Sequence, residues 1–265
     1  AFPMPDLEWG IEANIAVPDG LRDNFLGFTT VMDGKAIDPQ LDQRAIVAGI
    51  DVTAELAAHG VPPLPTGEST DAALAGLPDD VAAEWITRGM LAENTYNDGS
   101  GWETVRVPNW TLRSAYWWRA TFPAGREVKV SHRSHPSVGS TAGLAFRTYD
   151  GRNSDQFAEY QQKYCMDNSF VKAVDKASKG DGYLYERRIS YVLTSGGNWA
   201  NGTIGRFRLT VEAPNPADFV FVCLDGARRV AGNRIEAELT DFWPWHDLEI
   251  LFLHMWGDGI VRDDF

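Results

Sequence analysis

His132 and His135 stand three residues apart, the nearest approach in this chain to a metal-ligand spacing. Their stretch alternates like a strand, so the two imidazoles project from opposite faces. His59, His246 and His254 are scattered, and neither cysteine has a histidine nearby, so no zinc set assembles. Asp175 to Glu186 has the length of a calcium loop with Gly180 at its sixth place, but Ala177 and Lys179 stand where oxygen ligands are needed. The acidic run Glu93-Asn94-Thr95-Tyr96-Asn97-Asp98 is oxygen-rich and reads as a solvated turn. No Gly-x-Ser-x-Gly elbow is present, and Ser140 and Ser195 lie in turn sequence. With 37 Asp and Glu residues, some carboxylate pair always exists, so pairs alone do not mark a glycosidase. Phosphate-loop and dinucleotide glycine patterns are missing, and no cofactor is expected.

Aromatic residues carry the remaining signal. Trp199 sits between Asn198 and Asn201 in one loop, and Trp243, Trp245 and His246 sit in another. Indoles beside amides and imidazoles can stack on sugar rings while the polar groups bind hydroxyls. The ordinary expectation is that these tryptophans plug the ends of a sandwich core.

The elements that would position these residues are mainly strands. Leu26 to Met32 has β composition, and Asp33-Gly34 predicts a hairpin. A helical insertion is expected over about 51–92, with Asp51 as a cap, Gly60 and Pro62 as stops, and further helices at 71–75 and 79–90. Alternation returns at 116–122 and 127–132, and a further strand is expected at 144–149. Phe157, Tyr160, Tyr164, Phe170, Val171, Val174 and Ala177 recur at helical spacing, with a break at Asp167-Asn168. Later strands alternate over 188–193, 204–212 and 234–240, whereas Leu248 to Leu253 is apolar on both faces and reads as central. The expected fold is mainly β (α+β): antiparallel β-sandwich domains with a helical insertion in the N-terminal half and a helical segment near the middle. The expected division is 1–150, 151–182 and 183–265.

Twenty-four Lys and Arg against those 37 acids give a net charge of −13, which argues against nucleic acid or anionic lipid as partners. No apolar run is long enough for a membrane-spanning helix. Cys165 and Cys223 are either two buried thiols or one disulfide, worth roughly 4 kcal/mol on the loop-entropy model, and spacing leaves this even. The start at Ala1, inside strand-like sequence, reads as a mature or truncated product lacking upstream strands.

Five phrases together resemble a bacterial family known as domain of unknown function 4424. They are Ala1-Phe2-Pro3-Met4-Pro5-Asp6, Phe122-Pro123-Ala124-Gly125 with Val128, Val130 and His132, Tyr164-Cys165, Tyr191 to Ala200, and Phe242 to Leu253. The most specific of these is Ser195-Gly196-Gly197-Asn198-Trp199. The resemblance implies a secreted or periplasmic protein with its signal peptide removed, and in that compartment it implies a Cys165–Cys223 disulfide. It implies no activity. The order of Phe2-Pro3-Met4-Pro5, Gly27-Phe28-Thr29, Arg44 to Gly49 and Pro123-Ala124-Gly125 is also similar to the vault/inter-α-trypsin-inhibitor module. The functional expectation is a non-catalytic envelope module that binds a protein partner or envelope component. The alternative is a protein that binds or cleaves envelope polysaccharide through Trp199, Trp243 or Trp245. The sequence leaves the oligomeric state open.

Overall fold

The computed structural model describes residues 1–9, 26–97, 99–141, 143–148, 151–152, 154–177, 183–198 and 201–256. The described chain is mainly strand, all pairing antiparallel, with helices in both halves. It divides into two units, Ala1–Ser137 and Val138–Phe265. That boundary precedes the expected one at 150, and the helical segment belongs to the second unit because its apolar face completes that unit's core.

In the first unit, β1 (Phe2–Pro3) and β2 (Leu7–Glu8) pair with the strand that becomes β9. The hairpin of β3 (Thr29–Met32) and β4 (Lys35–Ile37) turns at Asp33 and Gly34 with φ of 48° and 79°, the left-handed pair that suits a two-residue connection. Next come β5 (Gln40–Val47) and β6 (Ile50–Asp51). The insertion then supplies α1 (Thr53–Ala58), α2 (Glu68–Ala75) and α3 (Asp79–Thr87). Asp51 Oδ1 accepts from the Thr53 backbone N–H at 3.0 Å and so satisfies one exposed donor at the helix start. These helices bury Leu56, Leu74 and Trp85 with Trp110, whose indole N–H donates to the Pro63 carbonyl at 2.8 Å.

Through Asn97 the acidic run expected as a turn is instead strand β7 (Leu91–Asn97), paired along its length with β8 (Trp102–Pro108), and Asp98 lies outside the described residues. The ribbon supplies backbone partners that outweigh the poor β-propensity of Glu93, Asn94 and Asn97. Strand β9 (Thr111–Trp117) ends before the expected Phe122, because its partner β5 runs out at the Gln40↔Trp117 pair. Strand β10 (Val130–Arg133) pairs with β3. Met4, Leu7, Phe28, Leu112 and Tyr116 form the core between these strands.

The second unit begins with β11 (Gly139–Thr141), then β12 (Arg147–Thr148) and β13 (Gly151–Arg152); of the expected 144–149 strand, β12 is extended among the described residues, and 149 lies outside them. Helices α4 (Ser154–Tyr164) and α5 (Asn168–Ala177) break where the sequence predicts. Then follow β14 (Tyr183–Tyr191), a 3₁₀ turn (Thr194–Asn198), β15 (Ile204–Glu212), β16 (Phe219–Val222), β17 (Arg228–Ala231), β18 (Arg234–Phe242) and β19 (Leu248–Trp256). One sheet has the order β11-β14-β19-β16 and the other β15-β18-β17. Val211, Ile235 and Ala237 of the second sheet pack on Val220, Leu248, Ile250 and Phe252 of the first. The first sheet's other face, with Leu251 and Leu253, is covered by Phe157, Tyr160, Tyr164, Phe170 and Val174 of the two helices. The unit is thus a sandwich with a helical third layer.

Glu186 is fully buried beneath those helices. It accepts from the Ala145 N–H and the Tyr160 hydroxyl, both at 2.6 Å. Burial outweighs these bonds and raises its carboxyl pKa above the ordinary value, and the Tyr160 hydroxyl is raised by the same burial. The unfolded chain therefore releases this proton at lower pH than the fold does, so Glu186 costs increasing stability as pH rises through the interval between the two values. Glu186→Gln should gain on the wild type as pH is raised from about 4 to about 8 in urea unfolding. A stability difference that stays constant with pH would contradict this.

Candidate functional site

Two connections at one end of the second unit's sandwich pack together, and the sequence singled out both. One is the 3₁₀ turn between β14 and β15, and the other is the loop between β18 and β19. Asp247 joins them: its Oδ1 accepts from the backbone N–H groups of Leu193 and Thr194, each at 2.9 Å, and from the Thr194 hydroxyl at 2.8 Å. Gly196 allows the close approach, since a Cβ there would lie 3.2 Å from Pro244 Cγ and 3.7 Å from Ile204 Cδ1. Gly196 thus has a packing reason, whereas a Cβ at Gly197 would meet open space.

With Pro244 seated, the flanking indoles are carried outward. Trp243 is 65% exposed and Trp245 71% exposed, so neither plugs the core. The reason is the anchoring of this loop by its proline and aspartate, which leaves the aromatic positions on the solvent side. The His246 Nδ1–H donates to the Asp247 carbonyl at 2.7 Å. The Trp245 and His246 rings form a T-shaped pair, with centroids 4.3 Å apart.

Beside Trp245 and His246 lies a groove of about 210 Å³. One wall is the end of α4, with Gln162 and Lys163, and another is Cys223, Leu224 and Asp225 after β16. Phe242, Asp247 and Glu249 complete it. Cys165 and Cys223 form a disulfide with Cα atoms 4.9 Å apart, joining the end of α4 to the end of β16. Glu249 Oε2 accepts from the Ser190 hydroxyl at 2.6 Å and lies 3.5 Å from Lys163 Nζ. Asp247 and Glu249 are therefore committed to holding the walls, whereas hydrolysis would need a carboxylate pair free to act on substrate.

Of the residues singled out from sequence, Trp245 and His246 line the groove, and Trp243 shares their loop. Asn198 closes the 3₁₀ turn, Asn201 is exposed just after it, and Trp199 lies outside the described residues. Gln162, Lys163 and Asp225 carry no local signal in the sequence, because elements far apart along the chain bring them here. His132 lies in β10, whereas His135 lies past its end, and the two have different neighbours. Nδ1 of His132 is 3.0 Å from the Thr30 hydroxyl, while His135 lies against Gly27. Asp175, first in the calcium-loop template, pairs with Arg147 at 2.8 Å, and 178–182 lie outside the described residues. Among the described residues, no three His, Cys, Asp or Glu side chains group closely enough to hold a metal ion.

Two substitutions test this construction. Asp247→Ala should cost about 2–4 kcal/mol, since three donors lose their shared acceptor, and should speed amide exchange at Leu193 and Thr194, with Asp247→Asn recovering much of the loss. Unchanged exchange at those amides would contradict the role given to Asp247. Replacing both cysteines by serine removes a crosslink between residues 58 apart in sequence and should lower unfolding stability by roughly 4 kcal/mol.

A family model described as domain of unknown function (DUF4424) matches residues 1–251. No curated protein and no solved structure matches the chain. The match takes in the sandwich as far as Leu251 in β19, the disulfide and the Trp243–His246 loop, and the chain belongs to the DUF4424 family.

Proposed function

We propose that this protein is a non-catalytic binding module of the bacterial envelope, periplasmic or secreted, that contacts a protein partner or envelope component through the Trp243–His246 loop and its groove. The observation that carries this reading is the exposure of two indoles, 65% and 71%, on one anchored loop. Exposed aromatics on a rigid support lose little entropy on binding and supply much of the contact energy in interfaces. The disulfide supports an oxidising compartment. The net charge of −13 argues against nucleic acid, and among the described residues no helix is long and apolar enough to cross a membrane.

The exposed tryptophans also favour a second reading, recognition of an envelope polysaccharide. A groove of about 210 Å³ has room for a single ring rather than an extended chain. With Asp247 and Glu249 committed to the scaffold, such a protein would bind the sugar rather than cleave it.

A thermal-shift screen against envelope glycans, peptidoglycan fragments and peptides of both charge signs tests the proposal, with the Trp243→Ala/Trp245→Ala variant run in parallel. A ligand at a hundredfold excess over its Kd should stabilise the wild type by about 2.7 kcal/mol. The double variant should lose at least about 2 kcal/mol of that binding energy while staying folded. Ligands that stabilise both proteins equally, or turnover of any of these compounds, would refute the proposal.

A further inference from the structure

Not every polar group in the groove is occupied. Asp247 holds the 3₁₀ turn, and Glu249 is shared between Ser190 and Lys163. Asp225 and Gln162 line the same groove, and neither side chain makes a hydrogen bond or ion pair among the described residues. Asp225 is exposed at the lip, just before a turn at Gly226 with φ of 78°. The uncommitted set is thus a carboxylate and an amide, beside the exposed indole of Trp245.

The charge has one sign. Three carboxylates, Asp225, Asp247 and Glu249, face one ammonium, Lys163, and the surplus remains after Lys163 and Glu249 neutralise each other. The chain as a whole adds a net charge of −13, which attracts cations and repels phosphate or carboxylate ligands. The groove, about 210 Å³, is also below the roughly 300–1,000 Å³ typical of sites for drug-sized molecules.

On the binding-module reading, we infer that this groove seats the guanidinium side chain of an arginine presented by a basic segment of a partner protein. A guanidinium is planar, so it stacks on an indole, and its forked N–H groups match a carboxylate in a bidentate pair. Asp225 supplies the carboxylate, Trp245 the stacking face, and the Gln162 side-chain carbonyl accepts a further N–H. Trp243, exposed in the same loop, covers the residues flanking the arginine. A neutral sugar would use the indole but gain nothing from the surplus charge.

The test uses the full chain and three peptides with one Gly/Ser background, carrying two arginines, two lysines or two citrullines. Binding is read from the indole N–H signals of ¹⁵N-tryptophan-labelled protein. The arginine peptide should bind at least about tenfold more tightly than the citrulline peptide, and Asp225→Asn should remove most of that difference with circular dichroism unchanged. Affinity should fall severalfold between ~0.05 and ~0.5 M NaCl. Equal binding of arginine and citrulline peptides, or no binding of either up to ~10 mM, overturns the inference. If chitohexaose or cellohexaose then binds and Trp245→Ala abolishes it, the arginine assignment fails and the binding module stands. If neither peptides nor sugars bind, and no compound in the broader screen depends on Trp243 and Trp245, both fail.

Discussion

The second unit depends on one strand that is apolar on both faces. Strand β19 pairs with β14 on one side and β16 on the other, so its backbone is satisfied within the sheet. Leu248, Ile250 and Phe252 enter the sandwich core, while Leu251 and Leu253 enter the core beneath the helices. A shift of one residue in its register would exchange the two sets and turn Glu249 toward the sandwich core, so the fit of both cores and the cost of burying that carboxylate hold the register. That register in turn places the residues just before and within the strand, Asp247 and Glu249, at the groove. The helical layer rests on the same strand, which is how α4 comes to offer Gln162 and Lys163 to the opposite wall.

Carboxylates in this unit serve three different ends, and their surroundings decide which. Glu186 is buried among helix side chains, and its pKa is raised by desolvation. Asp247 gathers backbone donors and acts as a local anchor. Asp225 stands at the surface without a partner among the described residues, which leaves it available to a ligand. The same chemical group is thus a core component, a loop anchor or a recognition element according to what it touches.

Much of this fold is legible in the sequence because its signals are local. The Asp33-Gly34 turn, the helices of the insertion and the break at Asp167-Asn168 each arise from a few neighbouring residues. The two-sided apolarity of Leu248 to Leu253 marks the central strand directly. Strand β7 is not legible, since Glu93, Asn94 and Asn97 favour turns and only pairing with β8 makes them extended. The site is half legible for the same reason. Trp243, Trp245 and His246 stand out as an aromatic cluster, but their exposure depends on Pro244 meeting Gly196, a contact between distant loops. Asp225, Gln162 and Lys163 carry no local signal. Only the helix-on-sheet packing and the Cys165–Cys223 bond bring them to one groove.

The functional reading stands on the two indoles facing solvent from an anchored loop. Hydroxyl-radical footprinting of the folded protein, read by mass spectrometry residue by residue, measures this directly. Trp243 and Trp245 should oxidise about as fast as Trp102, which is 76% exposed, while Trp85 and Trp110, each 1% exposed, stay protected. Protection of Trp243 and Trp245 at the level of Trp85 would mean that they belong to a core, and the site described above would not exist.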